Sequence, residues 1–279
     1  MGMATDIMVA DMEKIIMDIN ESNMKIKTFV INLKDSVERR EAVLAETARY
    51  PFMDIELIEA VDGRKFTPEE IGECFDLKKF IDRYYRPAKG GEIGCTLSHR
   101  ICYRKLLESE EEFVLILEDD VDFIHPEKLE TILSDILDGC RDKKPHFITL
   151  AMHLLYYPEK CRKLNYYTLF RIYDAWGTCA YLINRQAAER LLSDAYPSIV
   201  ADDFYFMRQR GIQVEGIYPN LAAGKSTRET VSTEIQDEQG IYKISTFKYI
   251  GLYCRIIYCQ ILLRLGKLSK RPFTLGVND

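Results

Sequence analysis

The apolar run Phe113–Leu117, with the sequence FVLIL, is followed directly by three acids, Glu118, Asp119 and Asp120. A short continuous apolar run of this kind is typical of a strand buried on both faces, as in a sheet covered by helices. Adjacent carboxylates repel one another and raise each other's pKa unless a cation neutralises them. The run therefore predicts an α/β sheet whose ligand site lies at the carboxyl ends of its strands.

Other apolar runs of strand length alternate with helical patterns. We predict further strands at 26–33, 55–61, 146–150, 179–183 and 213–218. Helices are predicted after Asp35, which would cap a helix with Glu38 as its capping-box partner, from Cys95 to Glu108, and over 185–192. Residues 66–86 are mixed and polar, and we interpret them as an irregular excursion. The alternation favours an α/β fold with a Rossmann-like central mixed sheet flanked by helices.

The chain divides by composition into three parts. Residues 1–23 are an acidic extension whose charges interrupt any apolar stretch of the kind found in secretory signals. Residues 24–245 hold the predicted sheet. Residues 246–279 are a basic amphipathic tail, predicted to be helical up to Gly266, with no acid between Phe247 and Phe273.

Two interpretations of this tail stay open. Its cations would contact anionic lipid headgroups while its apolar side chains enter the membrane interface, or the helix packs on its own domain with its cations in solvent. The cations are Lys248, Arg255, Arg264, Lys267, Lys270 and Arg271, and the apolar residues are Tyr253, Ile257, Ile261 and Leu262. No stretch reaches the roughly 18–20 uninterrupted apolar residues of a membrane span.

Charge and cysteine content restrict the cellular context. A net charge of −6 argues against a general nucleic-acid binder, so no nucleic-acid partner is expected. The eight cysteines form no CxxC pair and show no zinc-type spacing with the four histidines, so we interpret them as buried thiols in a reducing compartment. We therefore expect a cytoplasmic protein, peripheral on the inner face of the cell membrane if the tail binds lipid.

The acidic triplet by itself has two interpretations of equal weight. It is a solvated turn after a strand, or it binds Mg²⁺ or Mn²⁺, hard cations that take oxygen ligands and share them with phosphates.

Blocks around the triplet favour the second interpretation. The ordered blocks are INL-x-x-S-x-x-RR (31–40), EAVDG (59–63), GEIGC-x-x-SH (91–99), ILEDD (116–120) and GT-x-AYLI-x-R-x-A (177–187). Together they resemble glycosyltransferase family 25, which includes bacterial lipopolysaccharide and lipooligosaccharide glycosyltransferases and collagen galactosyltransferases. The resemblance covers about residues 26–192.

The resemblance implies a GT-A-like catalytic domain over 24–245, a nucleotide-sugar donor, and inversion at the anomeric carbon. It implies that Asp120 binds Mn²⁺ or Mg²⁺, and that Glu118 and Asp119 contact the donor ribose or a metal-bound water. Glu-Asp-Asp stands where GT-A enzymes carry a DxD-like motif, which leaves the division of labour among the three acids open.

The other blocks supply further donor-binding candidates. The loop after the first strand would hold the base and ribose of the donor. Arg39 or Arg40 would pair with a phosphate, or both would line a helix surface. Asp62 would bind the nucleotide or form a simple turn. His99 would lie near the donor or serve as a structural histidine. The predicted donor-binding residues are Asn32, Leu33, Ser36, Arg39, Arg40, Val61, Asp62, Ser98, His99, Glu118 and Asp119.

An inverting transfer needs a base that deprotonates the acceptor hydroxyl. We predict Asp202 and Asp203 as catalytic candidates, with Asp174 as a further one. The alternative for the pair is a helix N-cap. Trp176, the only tryptophan, is a sugar platform or, more often for a lone tryptophan, core.

The predicted function is transfer of a hexose, with galactose as the family-based choice, from a UDP-sugar donor to a glycan or glycolipid acceptor such as lipopolysaccharide. The alternatives are a non-catalytic carbohydrate-binding module on a degenerate fold and a metal-dependent phosphohydrolase.

Overall fold

A computed structural model describes residues 24–151, 154–164, 167–225 and 246–271. The predicted extension over 1–23 lies outside these residues, as does the end of the tail beyond 271.

A nine-stranded mixed sheet forms the centre of the molecule. Its strands are β1 (Ile26–Asn32), β2 (Met53–Glu59), β3 (Phe113–Glu118), β5 (His146–Thr149), β6 (Leu154–Leu164), β7 (Tyr167–Ala175), β8 (Ala180–Asn184), β9 (Gln213–Tyr218) and β11 (Ser269–Arg271). They lie in the order β11-β6-β7-β9-β5-β8-β3-β1-β2. A small second sheet pairs β4 (Val121–Phe123) with β10 (Ala222–Gly224).

Six strands of the large sheet share one direction: β1, β2, β3, β5, β6 and β9. β1 is parallel to β2 and β3, β5 is parallel to β9, and β8 is antiparallel to both β3 and β5. The carboxyl ends of β1, β2, β3, β5 and β9 therefore meet at one edge. The acidic triplet lies at this edge, as the sequence predicted.

Helices cover both faces of the sheet. They are α1 (Val37–Thr47), α2 (Pro68–Cys74), α3 (Leu77–Tyr84), α4 (Gly90–Glu108), α5 (Leu129–Asp138), α6 (Arg185–Leu192), α7 (Phe204–Gln209) and α8 (Thr246–Arg264). Leu115 and Leu117 of β3 pack in one apolar cluster with residues of α5, while Val114 and Ile116 pack in another with residues of α4 and α6. All four are fully buried, which explains why this strand is apolar throughout. The predicted α/β fold class, with a central mixed sheet flanked by helices, is confirmed.

Some predicted elements were wrong. Residues 66–86 contain α2 and α3 rather than irregular chain: Thr67 and Glu70 form a capping box on α2, and Asp76 caps α3. The cap residue of α1 is Ser36, not Asp35, and its side chain makes no capping hydrogen bond. Strands β6 and β7 were not predicted, because their exposed positions carry charged residues that hide the apolar alternation.

The tail both packs on the domain and exposes apolar side chains. Arg255 donates to Asp174 Oδ2 at 3.1 Å, and β11 pairs with β6 at the sheet edge. The large apolar residues exposed on and just after α8 are Ile250, Tyr253, Ile256, Ile257, Tyr258, Ile261 and Leu265. In the described part of the chain, no helix has the length and apolar character needed to cross a membrane.

The cysteines form no disulfide. Cys102 and Cys140 are buried, but Cys161 and Cys254 are exposed, so the prediction of buried thiols holds only for part of the set.

Candidate functional site

A cleft of about 760 Å³ opens at the carboxyl ends of β1, β2 and β3. Nine of the predicted donor-binding residues line it: Asn32, Leu33, Arg39, Val61, Asp62, Ser98, His99, Glu118 and Asp119. The ordered sequence blocks thus meet at one site although they are far apart in the chain.

Asp119 is buried at the floor of this cleft, and both of its carboxylate oxygens are engaged. Asn32 Nδ2 donates to Asp119 Oδ2 at 2.7 Å, and Arg39 pairs with Asp119 Oδ1. Burial raises the pKa of Asp119 above its ordinary value, although Arg39 and Asn32 act in the opposite direction. The charges of its two acidic neighbours, Glu118 and Asp120, add a smaller contribution to this rise.

Glu118 belongs to a polar chain that runs into the core. Thr178 Oγ1 donates to Glu118 Oε1 at 2.6 Å, and His99 Nε2 lies 3.3 Å from the same oxygen. His99 Nδ1 is 2.7 Å from the hydroxyl of Tyr181. Burial acts to raise the pKa of Glu118, but the bonds from His99 and Thr178 outweigh it and hold that pKa below its ordinary value. Glu118 is therefore an ionised acceptor held in one orientation.

The loop after β2 reaches the cleft through contacts with α4. Val61 N donates to Ser98 Oγ at 2.8 Å, and Ser98 Oγ donates to Gly94 O at 2.7 Å. A Cβ added at Gly94 would lie 2.3 Å from Val61 O, which explains a glycine in this block. Asp62 accepts from Arg64 Nε at 2.7 Å and caps the short 3₁₀ helix Gly63–Lys65. Ser98 and Asp62 thus hold the cleft wall in place.

Two predicted donor residues do not line the cleft. Arg40 donates to Lys34 O at 3.1 Å, and Ser36 presents its carbonyl to Asn32 Nδ2 at 3.2 Å. Both contacts shape the loop after β1, which carries Leu33 into the cleft.

Asp120 follows in the turn between β3 and β4, where its carbonyl accepts from Lys225 N at 2.8 Å. The acids at this edge fit a hard divalent cation, because their donor atoms are carboxylate oxygens. Asp120 and Glu118 would hold such a cation more readily than Asp119, whose oxygens are engaged.

A second, larger groove of about 1,660 Å³ contains the residues predicted to handle the acceptor. Trp176 lines this groove and is 57% exposed, so it is not part of the core. Asp174 and Arg255 form an ion pair in the same wall, and Tyr205 lies with its ring centroid 3.6 Å from the Arg255 guanidinium. An exposed aromatic side chain beside charged groups is a suitable surface for a sugar ring.

Asp202 and Asp203 differ in their contacts. Asp203 Oδ1 accepts from Phe206 N at 2.8 Å as the N-cap of α7, and Asp203 Oδ2 accepts from the Tyr84 hydroxyl at 2.5 Å. Asp202 Oδ2 accepts from Gly177 N at 2.9 Å. Burial raises the pKa of Asp202, and the charge of Glu118 adds to the rise.

Sequence reasoning missed several residues at the site. Arg64 and Cys95 line the donor cleft, and Thr178 bonds Glu118. Arg100 is 6% exposed and donates to the carbonyls of Leu191 and Asp194, which fixes the segment leading to Asp202. Thr178 lies in the block 177–187, so the sequence could have indicated it. Nothing in the sequence distinguishes the buried Arg100 from an exposed arginine on a helix.

The structure also contains two groups of histidine, cysteine and glutamate side chains. The groups are Cys95–His99–Glu118 and Cys140–His146–Glu215, each with donor atoms within 4.8 Å of one another. No pattern in the sequence indicated these two groups, because their cysteines and histidines do not follow a zinc-type spacing. In the first group burial raises the pKa of Cys95 well above its ordinary value, so this thiol is neutral.

Comparison with known proteins gives the family. The family model described as "Glycosyltransferase family 25 (LPS biosynthesis protein)" matches residues 25–206. Procollagen galactosyltransferase 2 of Mus musculus is 30% identical over 170 residues, covering 59% of this chain and 27% of the relative. A glycosyltransferase 25 family member of Aedes aegypti is 31% identical over 170 residues, covering 60% and 28%.

A procollagen lysyl hydroxylase and glycosyltransferase of Acanthamoeba polyphaga mimivirus is 28% identical over 213 residues, covering 68% of this chain and 22% of the relative. The matched part thus spans only about a quarter of the length of these relatives. The family model, in contrast, covers well over half of this chain, from β1 into α7. The chain belongs to glycosyltransferase family 25.

Proposed function

We propose that this protein is an inverting glycosyltransferase that transfers a hexose from a UDP-sugar to a glycan acceptor. The observation that carries the proposal is the position of Asp119, held between Asn32 and Arg39 in a cleft at the carboxyl ends of parallel strands. Open α/β sheets bind nucleotides at this edge. Family membership supports the transferase class.

The residues of the cleft have distinct roles in this proposal. Asp119 and Glu118 accept hydrogen bonds from donor hydroxyls, and Arg39 lies where it would also meet the negative diphosphate. Asp120 and Glu118 would hold Mn²⁺ or Mg²⁺. When bound, the cation neutralises charge on the departing nucleotide diphosphate.

The acceptor would approach from the groove that contains Trp176. Asp202 takes the proton of the acceptor hydroxyl as the oxygen forms its bond to the anomeric carbon and the bond to the diphosphate breaks. We assign this role to Asp202 rather than Asp203, because both oxygens of Asp203 already hold α7 and Tyr84 in place.

We propose galactose as the sugar, because one of the relatives named above is a procollagen galactosyltransferase, and a cell-surface glycan such as lipopolysaccharide as the acceptor, in line with the family description. Transfer of another hexose in a panel of UDP-sugars would revise the donor and leave the transferase proposal intact.

The test measures binding and turnover with the full chain. UDP with Mn²⁺ is expected to raise the melting temperature, and one UDP-hexose to be consumed in the presence of Mn²⁺. Asp120→Ala should lose the metal-dependent part of both responses. Asp54→Ala, which removes an exposed acid paired with Lys27 on β1, is the control that retains them.

Other results would favour the two alternatives. No response to any nucleotide sugar, with or without metal, contradicts the proposal. Phosphate release without sugar transfer indicates a phosphohydrolase. Glycan binding that is unchanged in Asp120→Ala, without turnover, indicates a binding module.

We further propose that α8 rests on an anionic membrane surface. Its exposed apolar side chains include Tyr253, Ile257 and Ile261, and Arg264 and Lys270 lie close by without an acid among residues 246–271. Binding to vesicles that contain an anionic lipid, reduced by Ile257→Asp and absent on neutral vesicles, would support this. Equal behaviour of the variant and the parent protein would contradict it.

A further inference from the structure

Cys140, His146 and Glu215 meet at the sheet edge opposite the donor cleft. His146 begins β5, Glu215 lies in the neighbouring parallel strand β9, and Cys140 follows the end of α5. Their donor atoms all lie within 4.8 Å of one another. Cys140 is 2% exposed and His146 is 4% exposed, so the group is enclosed by protein.

One ring nitrogen of His146 points into this group without a hydrogen-bond partner. Among the described residues, His146 Nδ1 is a buried polar atom that makes no hydrogen bond, and its distance of 3.9 Å to Glu215 Oε2 is too long for one. A buried nitrogen left in this state destabilises the fold, so the fold benefits from any group that would bind it.

The other ring nitrogen is oriented as in metal-bound histidines. His146 Nε2 lies 2.6 Å from Asp142 Oδ1. In metal sites the free nitrogen of a ligating histidine almost always donates to a carboxylate or carbonyl, which fixes the tautomer and directs the second nitrogen at the metal. Asp142 occupies that position here.

We propose that Cys140 Sγ, His146 Nδ1 and Glu215 form a zinc site, with water in the fourth position. Zinc accepts sulfur, nitrogen and oxygen ligands. A thiolate and a carboxylate balance its double charge, which makes burial tolerable. Arg162 Nη2, 3.7 Å from Cys140 Sγ, donates to the thiolate.

The three ligand atoms would have to move only slightly closer together to bind zinc. Bonds of about 2.0–2.3 Å in a tetrahedral zinc site set the ligand atoms about 3.3–3.8 Å apart. The ligand atoms here, within 4.8 Å, need to move by about 1 Å or less to reach this arrangement. Zinc would tie the end of α5 to β5 and β9, at the edge of the sheet opposite the cleft.

The experiment uses the full chain, stripped with a chelator and titrated with Zn²⁺ and with Co²⁺, whose thiolate complexes absorb in the near ultraviolet. We expect one Zn²⁺ per chain, a thiolate–cobalt band, and a higher melting temperature with zinc. Cys140→Ser and His146→Gln should lose the band and weaken zinc binding at least tenfold. Asp142→Asn should keep the fold and weaken binding by about 10–100-fold.

Two cysteine controls locate the thiolate. Cys161→Ser removes an exposed thiol and should bind zinc like the parent protein. Cys95→Ser tests the group in the donor cleft and should also keep the cobalt band. A band lost in Cys95→Ser but kept in Cys140→Ser would overturn the proposal, as would the absence of zinc binding in the parent protein. Circular dichroism shows whether Cys140→Ser and His146→Gln fold. If either does not, the zinc affinity of Asp142→Asn is the deciding measurement.

Discussion

Asn32 donates a hydrogen bond to Asp119 at 2.7 Å and so joins the carboxyl ends of β1 and β3 across 87 residues of sequence. The contact belongs to the fold and to the site at once. It satisfies a buried carboxylate, and it orients that carboxylate toward the cleft in which we expect the donor.

Asn32→Leu is expected to lower both stability and donor affinity. The substitution removes one of two partners from a buried carboxylate, which costs about 1–3 kcal/mol of unfolding free energy. Urea denaturation measures this change, and calorimetric titration with UDP and Mn²⁺ measures the affinity. The matched control is Asp54→Asn, whose side chain is 60% exposed and whose loss should stay within about 0.5 kcal/mol. Equal changes in the two variants would show that Asn32 has no special role.

Residues 113–120 predicted a buried strand that ends in acids, and the sequence blocks around them were needed to favour a ligand site over a solvated turn. The contact between Glu118 and His99 was beyond prediction, since it depends on how α4 packs against β3. The two helices within 66–86 were missed although Thr67, Pro68 and Glu70 carry a capping-box signal. They are short, and their charged faces outweigh the two buried apolar anchors Phe75 and Phe80, which pack with Ile93 of α4.

The role of Gly94 also depends on packing, and it gives a sharp test. Gly94→Ala places a Cβ 2.3 Å from Val61 O and 2.7 Å from Gly63 N, and both neighbours are backbone atoms that do not yield easily. We expect a loss of about 1–3 kcal/mol in unfolding free energy, typical of overpacking, and weaker UDP binding as the wall shifts. Gly72→Ala is the control: it lies in α2 with nothing within 4 Å of its added Cβ, so it should be neutral or stabilising by up to about 1 kcal/mol. Similar stability losses in both variants would contradict the proposed close contact.

Arg100 is expected to be required for the position of Asp202. Its guanidinium bonds the carbonyls of Leu191 and Asp194 at 2.8 Å each, in the segment that leads from α6 to α7. Arg100→Met leaves these carbonyls without their charged donor, and we expect a loss of about 2–4 kcal/mol in unfolding free energy together with reduced kcat. The comparison variant is Arg104→Met on the exposed side of the same helix, for which both quantities should barely change. An Arg100→Met protein as stable as Arg104→Met would exclude this anchoring role.

Asp202 should impose a recognisable pH dependence. Burial raises its pKa above the ordinary value of 3.8, so the carboxylate needed as base forms only at higher pH. We therefore expect kcat/KM to rise with pH along a limb whose midpoint lies above 3.8, measured with saturating metal and a fixed UDP-sugar concentration.

The contribution of Asp202 to the free energy of unfolding changes with pH in the opposite direction to activity: it falls as pH rises. A carboxyl whose pKa is higher in the folded state favours folding in its protonated form, and that advantage is lost as pH rises through the folded pKa. Asp202→Asn keeps an acceptor for Gly177 N and removes the buried charge, so it should not lower the unfolding free energy at neutral pH, while kcat falls by about 10²–10⁴-fold.

Asp203→Ala provides the contrast between base and helix cap. It removes the N-cap of α7 and should cost about 0.5–2 kcal/mol of stability, with a smaller loss of kcat than Asp202→Asn. The two acids are thus separated by opposite patterns, since one variant is stable and inactive and the other is less stable but active. If Asp203→Ala abolished turnover in folded protein while Asp202→Asn kept it, the base would be Asp203.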